Sequence, residues 1–143
     1  MGTPLNDMVE AYPLPEIDSV TAPFWEATLR GELRMQACAS CGRLRFPPRP
    51  MCPWCQSFDV AWDRMSGRAT LWSWAVPHPP LLPAYAELAP YTVAVVALEE
   101  DPTIRMVGML DADPDVVGIG GAVEVAFPAP VEEVVLPRWS ANR

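Results

Sequence analysis

The chain has 143 residues, of which 50% are hydrophobic, and its formal net charge is −8. This length suits one domain or two small ones with a buried core, and no apolar run is long enough for a membrane-spanning helix. The 18 prolines favour loops and short strands over a helical bundle. The first residues lack a basic segment followed by an apolar one, so we expect no signal peptide and a cytoplasmic location.

The charge is unevenly distributed along the chain. Residues 30–68 carry seven arginines against three acids, whereas residues 69–143 carry three arginines against ten acids, and the chain has no lysine. Arginine makes planar, bidentate contacts with phosphate, so the first cluster is compatible with a phosphorylated ligand. Solvated surface groups are the equally acceptable alternative.

A short helix is predicted near the N-terminus. Thr21 is a favourable N-cap and Gly31 a favourable C-terminal stop. Phe24 and Leu29 are predicted to face the core, and Trp25 lies off that line. Exposed aromatic residues on a short helix are typical of partner surfaces, which makes Phe24 and Trp25 candidate interface residues. Packing on the chain itself is the alternative.

All four cysteines lie in two Cys-x-x-Cys pairs, Cys38/Cys41 and Cys52/Cys55. Four thiolates at this spacing can close a tetrahedral site around one structural zinc ion. Gly42 follows the first pair, where the chain often needs a positive φ. Iron in a rubredoxin-like site remains possible. A disulfide framework or a thioredoxin-type redox pair suits this sequence less well.

Short strands surround the two pairs. Alternating patterns predict strands at 33–37, 43–46 and 58–62, which together with the cysteine turns form a zinc ribbon. A Pro-rich loop with one helical turn follows the first of five further strands. Five strands suit a small Greek-key barrel of the OB type, with a β-sandwich as the competing fold. Their predicted spans are Gly67–Val76, Tyr91–Leu98, Ile104–Leu110, Val123–Phe127 and Val134–Leu136.

These elements predict a mainly β chain in four parts. Residues 1–31 are a tail with the N-terminal helix, and residues 32–65 are the rubredoxin-like zinc ribbon. Residues 66–137 are a five-stranded OB-fold barrel, and residues 138–143 are a C-terminal tail. The strand at Tyr91–Leu98 is apolar on both faces and is therefore expected to be central in the barrel. Trp72 and Trp74 are predicted to share one face of the strand that opens the barrel, with at least one of them in the core.

The order of these motifs resembles the DUF35 family of acyl-CoA-associated proteins. The resemblance covers roughly residues 22–136 and depends on a helix with Phe24-Trp25, CxxCG, Phe46-Pro47-Pro48-Arg49, CPxC and the barrel pattern. Gln56 departs from the family pattern, which commonly has a small residue or glycine after the second cysteine pair.

The resemblance implies a function. Members of this family look like non-catalytic accessory subunits of thiolase-fold enzymes, including retro-aldolases that shorten steroid side chains. The helix and ribbon would contact the enzyme, and the barrel would help to hold the coenzyme A thioester. A dimeric partner would make the complex a heterotetramer.

A ligand site can be suggested from residue types. The candidates are cationic or aromatic side chains suited to phosphates, an adenine or an acyl chain: Arg43, Arg45, Arg49, Arg68, Trp72 and His78. His78 is the only histidine, and the sequence offers no nucleophile–base set, so a free-standing enzyme is not expected. The alternative function is single-stranded nucleic-acid binding, which the acidic barrel segment disfavours.

Overall fold

A computed structural model describes residues 13–141. Its regular elements, in chain order, are α1 (Ala22–Leu29), β1 (Arg34–Cys38), β2 (Leu44–Arg45), β3 (Val60–Arg64), β4 (Arg68–Ala75), α2 (Pro83–Ala86), β5 (Val93–Leu98), β6 (Arg105–Asp111), α3 (Pro114–Val117), β7 (Ala122–Ala126) and β8 (Arg138–Ala141). Across the described span, no helix is long and apolar enough to cross a membrane. Most of the N-terminal segment predicted as a tail lies outside the described residues.

Helix α1 begins and ends where the sequence predicts. Its N-terminal turn is held by Asp18, whose Oδ1 accepts the backbone N–H groups of Val20 and Thr21 at 2.9 Å each. The Thr21 side chain itself makes no capping bond. Phe24 is buried as expected, but the prediction for Leu29 was wrong, because that side chain is 46% exposed. The buried face of the helix continues at Ala27 and Thr28, three and four residues after Phe24. Leu29 is five residues after Phe24 and therefore lies on another face.

The first sheet is the predicted ribbon. Its order is β2-β1-β3, with both neighbours antiparallel to the central strand β1. Gln36 sits in the middle of β1, opposite Arg45 on β2 and Trp62 on β3. Four of the five β1 residues are buried, so both faces of this strand are covered.

The second sheet closes into a barrel with the order β4-β5-β6-β8-β7. All neighbouring strands are antiparallel except β6 and β8, which run parallel. Five strands closed in this way form the OB fold, so the barrel prediction is confirmed over the sandwich. Strand β5 lies between β4 and β6, as its apolar sequence predicted.

The strand that closes the barrel was predicted in the wrong place. Residues 134–136 do not form it, and residues 138–141 are not a tail: β8 pairs with both β6 and β7. The chain instead makes a tight turn at Val131–Val134, where Glu132 and Glu133 adopt φ values of 48° and 66°. Because of this turn, the closing strand lies later in the sequence than residues 134–136, the apolar run that looks like a strand.

Tryptophan side chains divide between barrel core and surface. Trp139 on β8 is fully buried, and a Cβ added to Gly108 on β6 would lie 3.0 Å from the Trp139 ring, so the ring packs against bare backbone. Trp72 follows the buried Leu71, points outward by regular alternation and is 49% exposed. Strand β4 then has an irregularity between Leu71 and Ser73, which interrupts the alternation before Trp74. Trp74 packs on the core. The two therefore do not share one face, although one of them belongs to the core as expected.

Ribbon and barrel share one hydrophobic core. The continuous buried cluster includes Phe24, Leu33 and Met35 from the N-terminal half together with Leu98 and Met106 from the barrel. The boundary predicted near residue 65 therefore separates two sheets that are packed on each other.

Trp139→Ala tests the position of the closing strand. Removing a fully buried indole should lower the free energy of unfolding by about 3–5 kcal/mol, measured by urea denaturation of the zinc-loaded protein. The matched control is Trp72→Ala, which should cost about 1 kcal/mol or less because that ring is half exposed. Equal losses for the two variants would contradict the placement of β8 in the barrel.

Candidate functional site

The four cysteine sulfurs meet at the end of the ribbon. All four Sγ atoms lie within 4.8 Å of one another. The Cys38 and Cys55 sulfurs are 3.4 Å apart, and the Cys41 and Cys52 sulfurs are 3.7 Å apart. Both contacts are much longer than the roughly 2.05 Å of a disulfide. The pairing crosses the two CxxC turns, as a shared metal requires.

Local backbone structure aims these sulfurs inward. In the first turn the Cys41 N–H donates to Cys38 Sγ at 3.4 Å, and Gly42 takes a φ of +79°. Gln56 occupies the equivalent position after the second pair and adopts a φ of +65°. This left-handed conformation favours glycine, which explains physically why Gln56 stands out in the sequence pattern.

The local electrostatics lower the pKa values of Cys38 and Cys52 and favour their thiolates. The N–H groups directed at the Cys38 sulfur, first that of Cys41, lower the pKa of Cys38 to about 6. At Cys55 the Ser57 N–H lowers the pKa, but hydrogen bonds with the other cysteine sulfurs and burial together raise it to about 11. Among the cysteines, Cys38 and Cys52 are buried, whereas Cys41 and Cys55 are exposed. A thiolate is the form that binds a metal, so Cys38 is preorganised as a ligand.

Tetrahedral zinc fits this donor set. Zinc–sulfur bonds of about 2.3 Å in a tetrahedral site place the sulfurs about 3.8 Å apart, close to the two distances above. Four sulfurs fill the coordination shell and leave no open position for a water molecule. The metal is therefore structural zinc, which holds β1 and the two turns in place and performs no reaction.

Some of the arginines predicted to bind a ligand converge beside the zinc turns. Arg45 and Arg49 line a cavity of about 220 Å³ together with Trp54. Arg43 stacks over the Trp54 ring, with its guanidinium carbon 5.2 Å from the ring centroid. Trp54 was not assigned a role from sequence. Its place inside the CPxC turn is the signal that could have indicated one.

The other predicted ligand residues do not border this cavity. Arg68 is ion-paired to Glu99 at 2.8 Å. Trp72 lies under Arg105, whose guanidinium carbon is 3.9 Å from the ring centroid. His78 is exposed in the Pro-rich loop. The six residues therefore do not form one site.

A larger apolar groove runs beside α1. It has a volume of about 770 Å³, and all but a few of its lining residues are apolar or aromatic. Representative members come from α1, the turn after β2, the α2–β5 segment and β6: Trp25, Phe46, Tyr85, Tyr91, Val107 and Met109. The sequence did not predict this groove, because its walls come from segments far apart in the chain.

The two predicted interface residues both border this groove. Phe24 is only 5% exposed and packs edge-on against Trp25, with ring centroids 4.9 Å apart. Its side chain therefore belongs mainly to the core and offers little surface to a partner. Trp25 is half-buried at the groove wall.

Comparison with known families finds a match for the zinc ribbon and a match for the barrel. Residues 25–61 match the family described as "ChsH2, rubredoxin-like zinc ribbon domain", and residues 62–128 match "ChsH2, C-terminal OB-fold domain". A "DUF35 domain-containing scaffold protein" of Methanothermobacter thermautotrophicus is 34% identical over 99 residues, which span 68% of this chain and 73% of that protein. The chain belongs to the DUF35 family.

Other relatives of this DUF35 protein have names that refer to enzyme complexes. The "3-oxo-4,17-pregnadiene-20-carboxyl-CoA hydratase alpha subunit" of Mycobacterium tuberculosis is 36% identical over 132 residues, 92% of this chain. The chain spans less than two fifths of the length of the hydratase subunits that it matches. A solved structure titled "Ltp2-ChsH2(DUF35) aldolase" is 36% identical with a TM-score of 0.80, and the match covers 90% of this chain and 98% of that one.

Removal of the metal tests the structural role of the cysteines. Because ribbon and barrel share a core, Cys38→Ser or strong chelation should lower the melting temperature of the whole chain by well over ten degrees. Ser40→Ala is the matched control, since Ser40 lies between two ligands and its hydroxyl donates only to the Ser57 hydroxyl among the described residues. Metal analysis should find one zinc per chain in the control and none in Cys38→Ser. Unchanged thermal stability after zinc removal would contradict the structural role.

Proposed function

We propose that this chain is a non-catalytic subunit of a complex with a thiolase-fold enzyme that acts on a coenzyme A thioester. The observation that carries the proposal is the match to the chain in the "Ltp2-ChsH2(DUF35) aldolase" structure, since it extends over 98% of that chain at 36% identity. The names of the scaffold proteins and hydratase alpha subunits support a role within an assembly. A retro-aldolase acting on a steroid side-chain thioester is the partner we favour, because one relative is named for a pregnadiene carboxyl-CoA substrate.

The chemistry of the described residues supports a non-catalytic role. The cysteines are metal ligands, and His78 lies exposed in a loop. Hydrogen bonds to backbone, hydroxyl or arginine groups outweigh burial and lower the pKa values of the Asp18, Glu32, Glu100 and Asp111 carboxyls. A general acid working near neutral pH needs an upward shift instead.

The apolar groove beside α1 is the surface we assign to the partner enzyme. Val107 on its wall is 66% exposed and is continuous with the other apolar lining residues of the groove. Contiguous exposed apolar surface rimmed by polar residues marks interaction sites on soluble proteins. Glu16 and Arg138 supply such polar groups at this groove.

Purification of the tagged chain from its source cells tests the proposed partner. A thiolase-fold enzyme should accompany it in equal amounts, and light scattering should give the mass of two copies of each chain. The isolated chain should turn over no acyl-CoA, while the complex should. Turnover by the isolated chain, free of contaminating enzyme, would contradict a non-catalytic role.

A charge placed on the groove wall tests the interface. Val107→Asp should weaken the complex by about tenfold or more, because a carboxylate would lose its hydration inside an apolar contact. Val116→Asp is the matched control: that side chain is 81% exposed and does not border the groove. Affinity is measured by titration with the recovered partner, and circular dichroism shows that both variants are folded. Equal affinity of the two variants would exclude this groove as the interface.

A further inference from the structure

Arg45 is a buried cation whose hydrogen-bonding groups are not all used. The residue is 3% exposed. Its Nε–H donates to Gln36 Oε1 at 2.7 Å, and Nη2 donates to the Arg49 backbone carbonyl at 3.2 Å. Nη1 is buried and has no hydrogen-bond partner among residues 13–141. Both acceptors are neutral, so the positive charge is solvated only in part.

No carboxylate of the described residues forms an ion pair with Arg45. Within residues 13–141, the ion pairs join Glu32 to Arg30, Arg34 and Arg64, Glu99 to Arg68, and Asp111 to Arg138. None of them includes Arg45, Arg43 or Arg49. A buried guanidinium without a counter-charge is costly, and such groups in folded proteins are normally paired with an anion.

The space next to Arg45 is large enough for that anion. The cavity of about 220 Å³ is formed where the ribbon meets the barrel, between Arg45, Arg49 and Trp54 on one side and Thr103 on the other. It is several times the roughly 30 Å³ that one water molecule occupies in the liquid. The Thr103 hydroxyl already donates to Asp101 at 2.6 Å, so the available donors are the arginines.

The cavity also has cationic groups at its edge. Arg49 lines it and is exposed, and Arg43 lies over the Trp54 ring. A buried guanidinium with exposed guanidinium groups nearby suits a tetrahedral oxyanion, because planar N–H pairs match phosphate oxygens. An adjacent indole face can also contact the rest of an organic phosphate.

We propose that this cavity between ribbon and barrel binds a phosphate group, with Arg45 and Arg49, which both line it, as the donors. The group would come from free inorganic phosphate or from a phosphorylated nucleotide such as coenzyme A. Only the second source depends on the function proposed above. Phosphate binding itself needs nothing beyond this chain.

The first test measures stabilisation of the full, zinc-loaded chain by phosphate. Melting temperatures are compared in sodium phosphate and sodium chloride at equal ionic strength and pH, so that general screening cancels. The unmodified chain should melt at a higher temperature in phosphate, and the shift should saturate as phosphate increases. Arg45→Met and Arg49→Gln should each remove most of this shift. Arg64→Gln is the matched control, since that exposed ribbon arginine is paired with Glu32 and should leave the shift unchanged.

Calorimetric titration then identifies the source of the phosphate. The probes are inorganic phosphate, coenzyme A and dephospho-coenzyme A, which lacks the 3′-phosphate. Tighter binding of coenzyme A than of phosphate, weakened about 10- to 100-fold by Arg45→Met, would assign the site to the nucleotide. Equal binding of phosphate and coenzyme A would assign it to the free anion.

Two results would overturn the proposal. One is the absence of phosphate-specific stabilisation in the unmodified chain, which would leave Arg45 as a purely structural link between Gln36 and the Arg49 segment. The other is an equal shift in Arg49→Gln, Arg45→Met and Arg64→Gln, which would show an adventitious ion only. Arg49 is exposed, so its variant remains informative if Arg45→Met does not fold. Neither result affects capture of the partner enzyme, which tests the proposed function separately.

Discussion

Closure of four thiolates around one metal is the constraint on which this structure depends. Strand β2 has only two residues, and the ribbon sheet has only three short strands. Hydrogen bonds in so small a sheet do not hold its cysteine turns in place by themselves. The metal joins both CxxC turns to the end of β1, and β1 places Met35 in the core shared with the barrel. The same strand carries Gln36, whose amide holds the Arg49 segment. Core, ligand cavity and groove wall thus depend on one metal centre.

The sequence was sufficient for features with a local physical cause. Cysteine spacing predicted the metal site, and the apolar patterns predicted seven of the eight strands to within two residues of their bounds. It failed where the cause is not local. Residues 134–136 are the more apolar segment, but the turn at Glu132–Glu133 moves the closing strand to 138–141. The irregularity after Leu71 interrupts the alternation between Trp72 and Trp74, and no residue type in that stretch predicts it.

The candidate binding surfaces show the same limit. Arginine content indicated phosphate chemistry, but only tertiary packing shows that Arg45 is buried beside Gln36 while Arg68 is neutralised by Glu99. Likewise, Phe24 and Trp25 are adjacent in sequence and both border the groove, yet Phe24 is buried in the core and Trp25 is only half-buried. A list of residue types can suggest which chemistry is present. It cannot say which charges are left without a partner.

The parallel pairing of β6 with β8 has a consequence for synthesis on the ribosome. The strand that fills the gap between β6 and β7 is the last of those described, so the barrel cannot close until residue 141 has left the exit tunnel. Until then, two strand edges stay open to unwanted pairing with other chains. The ribbon is synthesised earlier and can take up its metal first. A nascent chain could therefore hold its two cysteine turns together around the metal before the barrel strands with which the ribbon shares its core are complete.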